Sequence, residues 1–165
     1  MMNTENQLNY YSYALKNHLM NNEVFLKNDL EQLLQGKAID LIDDKNFTDV
    51  AVLYFEYSAD RLNIIFWCED NDGNVLSQHS KRIGVIDQDN NFPKKLELEL
   101  IELEEIEIEN NEDAFYDFSD ALDCSKYEIL EKWFLHVWKE VAKNITVTQE
   151  VYFSIHDTIH KTRLN

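Results

Sequence analysis

The sequence predicts an α+β fold, a mostly antiparallel sheet with N-terminal helices and a C-terminal helix packed on it. Three observations predict it. Residues 4–34 repeat their apolar positions at helical spacing, residues 48–86 have the composition of strands, and the chain beyond residue 125 returns to a helix and then a strand. Helical and extended stretches are segregated rather than alternating, which separates α+β from βαβ architectures. Three glycines and one proline in 165 residues leave no flexible linker, so residues 1–165 are expected to form one domain.

Thr4 and Gln7 have the spacing of a capping box, which is expected to open the first helix. Leu8, Tyr11, Leu15 and Leu19 then recur every three or four residues. Asn21 and Asn22 are expected to interrupt the helix, and Val24, Leu26, Leu30 and Leu33 to resume it. Gly36 follows as a stop in the left-handed conformation. The expectation is two helices, or one that bends.

TDVAVLYFEYS and RLNIIFWCED are rich in β-branched and aromatic residues and read as two strands joined through Ser58-Ala59-Asp60. Both faces of each are apolar at the centre, the pattern of mid-sheet strands covered on both sides. Asp72-Gly73 predicts a turn toward a third strand within NVLSQHSKRIGVI, whose polar residues place it nearer an edge.

Between Leu96 and Ile108 the leucines alternate with glutamates and then slip in parity, which predicts a bulged strand or two short ones. Ser125 and Glu128 form a second capping box, expected to open a helix with Tyr127, Leu130, Phe134, Val137, Trp138 and Val141 on its inner stripe. Trp133 and His136 fall at the margins of that stripe. Val151, Phe153 and Ile155 then alternate with polar neighbours as a strand.

Charge is the most informative feature. The net charge is −17, and the stretch from Glu97 to Asp123 holds twelve acids with no lysine, arginine or histidine, leaving −5 for the rest. Such a balance disfavours direct binding to nucleic acid or to anionic membranes, both of which are bound through lysine and arginine. It favours a basic protein. Twelve uncompensated acids repel one another in the folded state, and a basic partner offsets that cost and raises the association rate. The partner-binding residues expected are Glu97, Glu99, Glu102, Glu104, Glu105, Glu107, Glu109, Glu112, Asp113, Asp117 and Asp120 for steering, with Tyr116 and Phe118 as anchors.

No catalytic motif is present. His156 and His160 stand four apart, but Asp157 follows where H-E-x-x-H has glutamate, and the preceding segment reads as a strand. Glu69–Asn74 suggests a calcium loop only faintly, since aligning its glycine puts Cys68 at the first ligand position. Cys68 and Cys124 have no metal or catalytic spacing, and two isolated thiols behind an N-terminus without a basic leader or apolar core fit a reducing, cytoplasmic setting. The reading is a non-enzyme with no metal and no cofactor.

Trp133–Glu140 followed by Tyr152–Asp157 resembles the helix-then-strand ending of small bacterial immunity proteins from polymorphic toxin and contact-dependent inhibition systems. The resemblance covers about 25 residues and implies a cytosolic single-domain protein that neutralises one cognate toxin. Many such toxins are basic nucleases, which agrees with the acidic stretch. It transfers no binding residues, because immunity proteins diverge where they touch their toxins. The alternatives are an acidic nucleic-acid mimic that blocks DNA-binding proteins, and a small enzyme whose groups assemble only in three dimensions.

Overall fold

The computed structural model describes residues 4–37, 42, 47–58, 63–77, 81–84, 98–99, 102, 112–156, 158–159 and 161–165. The chain opens with α1 (Thr4–Leu34), an unbroken helix of 31 residues. Tyr11, Leu15, Leu19, Leu26, Leu30 and Leu33 are all buried on one side of it. That stripe stays in phase across Asn21 and Asn22, so the expected interruption does not occur. The Asn22 amide donates to the His18 carbonyl at 2.8 Å, one turn back, which keeps its polar side chain local without breaking the helix. The Gln7 half of the expected capping box is not formed: Gln7 is buried, and its Oε1 accepts no hydrogen bond among the described residues. At the far end Gly36 adopts φ 67°, with its N–H donating to Leu33 O at 3.0 Å and that of Lys37 to Gln32 O at 2.8 Å. These two bonds are the Schellman termination the sequence leads one to expect.

The sheet has the order β3-β2-β1-β4-β5, where β1 is Val52–Ser58, β2 Asn63–Glu69, β3 Lys81–Ile83, β4 Glu150–Ile155 and β5 Lys161–Arg163. β1 pairs antiparallel with β2, Phe55 opposite Phe66, and parallel with β4, Phe55 opposite Phe153. The outer pairings are antiparallel. β1 and β2 are internal and β3 is at an edge, as the sequence predicts; β5 is an addition to that reading. The turn after β2 is built by Asp70, whose Oδ1 accepts from the Asp72 and Asn74 N–H groups at 2.9 Å each. Its carboxylate is therefore engaged by its own turn rather than held out as a ligand.

A strand parallel to β1 requires the chain to cross from one end of the sheet to the other. The crossover helix is α2 (Glu112–Ala142), again 31 residues. It begins 13 residues before the expected Ser125 cap. No proline or glycine interrupts this stretch, and Phe118 and Leu122 extend the inner stripe N-terminally. Ser125 instead meets Ser12 of α1, their hydroxyls 2.7 Å apart, and Glu128 pairs with Lys132. Acids at the start of α2 and Lys132, Lys139 and Lys143 toward its end both suit the helix dipole.

The two helices run in the same direction. Ser12 meets Ser125, and farther along a shared groove is lined by Leu19, Met20 and Glu23 from α1 and Ile129, Trp133 and His136 from α2. One hydrophobic cluster joins both helices to the sheet. Phe134 stacks on Phe153 with centroids 4.3 Å apart, and Phe55 meets Phe134 and Trp138 at 5.4 and 6.1 Å. Trp133 is buried with them, although it falls at the margin of the inner stripe. The edge strand is fixed to α1 by Gly84, whose N–H donates to Asp29 Oδ2 at 2.8 Å.

Gly84 has φ +72°, and a Cβ there would lie 3.1 Å from Leu26 Cδ1. Gly84→Ala adds a left-handed strain of about 1–2 kcal/mol to an overpacking cost of about 1–3 kcal/mol. Urea unfolding is expected to show a loss of roughly 2–5 kcal/mol, and a loss below about 1 kcal/mol would contradict this packing.

Candidate functional site

The acid-rich stretch is helical where it is described. Leu98, Glu99 and Glu102 lie in helical conformation and are exposed, which corrects the expected strand at these three positions; the rest of residues 96–108 lies outside the described residues. Leucine and glutamate are both strong helix formers, and a five-residue alternation with no β-branched residue is a weaker signal than that propensity. Glu97, Glu104, Glu105, Glu107 and Glu109 lie outside the described residues, and so does the side chain of Glu112 at the start of α2.

Asp113, Asp117 and Asp120 stand four and three residues apart on α2 and all are exposed. This spacing puts them on one side of the helix, and Tyr116, 57% exposed, lies among them. None of the three aspartates is in an ion pair among the described residues. Asp123 differs, because Lys126 reaches back to it at 2.5 Å while being buried itself. Phe118 lies off that side and is only 2% exposed. It is a core residue, not a surface anchor: on α2 it falls a third of a turn from the acidic side and in line with Leu122.

α2 is about 46 Å long, whereas strands of six or seven residues reach about 23 Å. The ring contacts with the sheet come from Tyr127, Phe134 and Trp138. The acidic turns therefore precede the part of α2 that rests on the sheet.

A second feature was missed from sequence. α2 packs on the sheet face that carries Phe55, Tyr57 and Phe153. On the other face Trp67, Tyr54 and Tyr152 are half-buried and stack in a row across three strands, with centroids 4.9 and 5.7 Å apart. Lys161 Nζ sits 4.2 Å over the Tyr54 ring. Among the described residues no helix covers this face as the strand pattern predicts, and the rings shield one another.

Carboxylates edge the row. The Tyr54 hydroxyl donates to Glu69 at 3.2 Å and the Tyr152 hydroxyl to Glu150 at 2.8 Å. Burial, followed by the charge and hydrogen bond of Glu69, pushes the Tyr54 phenol up to about 12. Tyr152 is raised too, chiefly by its bond to Glu150.

Glu56 is the one acid within VLYFEYS of β1 and is buried. Its Oε2 lies 2.9 Å from His156 Nδ1, and Ser154 Oγ donates to its Oε1 at 3.4 Å. A carboxylate only accepts, so Nδ1 carries the hydrogen in this contact. The serine bonds the acid rather than the imidazole, which is not the relay that activates a nucleophile. His160 lies outside the described residues, and among those described no group of three or more His, Cys, Asp or Glu residues could hold a metal. Beside the acidic end of the sheet is a polar cleft of about 420 Å³ lined by Val50, Ala51, Val52, Asp70, Asn71, Thr148 and Glu150. Among the described residues no helix is long and apolar enough to cross a membrane.

No family model, curated protein or solved structure matches the chain.

The lone Glu56 in an apolar strand was the sequence signal for the open face, since an acid is retained there only where polar partners or water reach it. Tyr54 gives a direct check. Its raised value stabilises the fold below pH 10, and that contribution is lost as pH rises through about 12. Followed by tyrosine absorbance as the difference from the wild type, Tyr54→Phe should remove one phenol that ionises at about 12, and Glu69→Gln should shift that ionisation downward. An unchanged alkaline limb in both variants would contradict the geometry.

Proposed function

We propose that the chain is a binding protein that neutralises a basic protein partner by occlusion, as the immunity protein of a toxin domain does. The observation that carries this reading is the exposed side of α2, where Asp113, Asp117 and Asp120 surround Tyr116 in a stretch without a single basic residue. Like charges so placed repel one another, and a basic surface relieves the repulsion while steering encounter. Tyr116 supplies an amphipathic contact of the kind that dominates interface energetics. An aromatic ring amid the acids favours a protein partner over mimicry of nucleic acid, because a row of phosphates has no apolar counterpart. The resemblance of Trp133–Glu140 and Tyr152–Asp157 to immunity proteins gives the partner its class, a toxin domain.

Reversal of Asp113, Asp117 and Asp120 to lysine is expected to lower the association rate with that partner by about tenfold or more and to flatten its salt dependence. Stopped-flow binding across a salt series reads both. A folded triple variant with an unchanged rate would remove this face from the account.

The two aromatic residues separate cleanly. Tyr116→Ala should leave stability within about 0.5 kcal/mol and weaken binding by at least about tenfold. Phe118→Ala should cost roughly 3–5 kcal/mol of stability. Equal effects of the two substitutions on thermal unfolding would contradict the orientation of α2.

A further inference from the structure

α1 buries one side and leaves a second apolar stripe on the other. Tyr10, Tyr13, Met20 and Val24 are 57%, 67%, 67% and 54% exposed. With Asn17 they follow intervals of three, four, three and four residues, the spacing of a coiled-coil seam. Tyrosine and methionine are enriched at interfaces. Along one flank of this seam runs the groove shared with α2, about 350 Å³, with an apolar floor of Leu19, Ile129 and Trp133. The α1 edge of that groove carries Lys16 and Glu23, seven residues apart and so two turns apart on one line. Neither is in an ion pair among the described residues.

We propose that this side of α1 is an interface with a second copy of the chain, the two α1 helices packing antiparallel through Tyr13, Asn17, Met20 and Val24. The flanking charges decide both the occupant and the direction. Antiparallel pairing about the middle of the seam sets Tyr13 near Val24 of the second copy and Asn17 near its Met20. It also brings Lys16 of each copy against Glu23 of the other, two reciprocal pairs under one two-fold axis. A parallel arrangement would set Lys16 against Asn21 and Glu23 against Asn28 of the second copy and leave both charges without a counterion across the seam. A polar residue at one seam position fixes register, which is the place Asn17 occupies.

The rest of the charge distribution agrees. Because α1 and α2 run in the same direction within a copy, antiparallel pairing sends the two acid-rich starts of α2 to opposite ends of the dimer, well beyond the ~8 Å over which charges act at physiological salt. The groove edge also carries Lys132 and His136, so it does not suit the basic partner assigned to the face around Tyr116. The two surfaces are separate, and neither proposal depends on the other.

The test is the mass in solution of the full chain over a concentration series, by light scattering and sedimentation equilibrium. A reversible dimer is expected, weakened about 30-fold or more by Met20→Glu, which places a charge at the centre of the seam. Lys16→Glu and Glu23→Lys should each weaken it by roughly tenfold, and the two together should restore it. All three positions are at the helix surface, and unchanged circular dichroism verifies the fold of each variant. A monomer at every concentration overturns the proposal, as does a dimer that Met20→Glu leaves intact. A dimer that Met20→Glu dissolves but the double exchange does not restore overturns the antiparallel register.

Discussion

Phe55 lies at the middle of the central strand and meets Phe66 on β2 and both Phe134 and Trp138 on α2, while Phe134 stacks on Phe153 of β4. The β1–β2 hairpin and two elements far from it in sequence meet in this one aromatic cluster. It holds β4 parallel to β1 and seats the second half of α2 across both. Aromatic pairs contribute about 0.5–1.5 kcal/mol each beyond their area burial, so the cluster fixes the crossover geometry as well as adding to stability.

The remaining architecture follows from that seating. Among the described residues, a single crossover helix laid on one face, with α1 beside it, leaves the opposite face to its own Trp67–Tyr54–Tyr152 row. A helix twice the length of the strands it covers must also extend past them, and the extension carries Asp113, Tyr116, Asp117 and Asp120. These turns retain their charge because they lie outside the region where burial would make an unpaired carboxylate costly. The placement of the acidic surface is thus a consequence of where the aromatic cluster sits along α2.

Much of this was legible in the sequence where local chemistry and tertiary packing agree. The β1–β2 hairpin, the Asp72-Gly73 turn, the Gly36 stop and the inner stripe of α2 from Leu130 to Val141 are set by short-range patterns that the core then uses. The misreadings share one cause. Asn21-Asn22 and Ser125 carry local signals for a helix end, but each sits inside a longer stripe of buried residues whose phase is unbroken, and burial outweighs a cap worth about 1 kcal/mol. Phe118 looked like a surface anchor because its neighbours in sequence are acids; on a helix its neighbours in space are three and four residues away, and those are apolar. The open sheet face left one trace in the sequence, Glu56 within VLYFEYS, since apolar strands otherwise look alike whether the second layer is a helix or a row of tyrosines.

The central claim is that the acidic side of α2 binds one basic protein. The most direct measurement is affinity capture by the tagged protein from a lysate of its host, at low and moderate salt, in parallel with the Asp113→Lys/Asp117→Lys/Asp120→Lys variant. The account predicts a single stoichiometric basic protein on the wild-type chain, released as salt rises and missing from the variant. Equal capture by the two chains, or capture indifferent to salt, would contradict it.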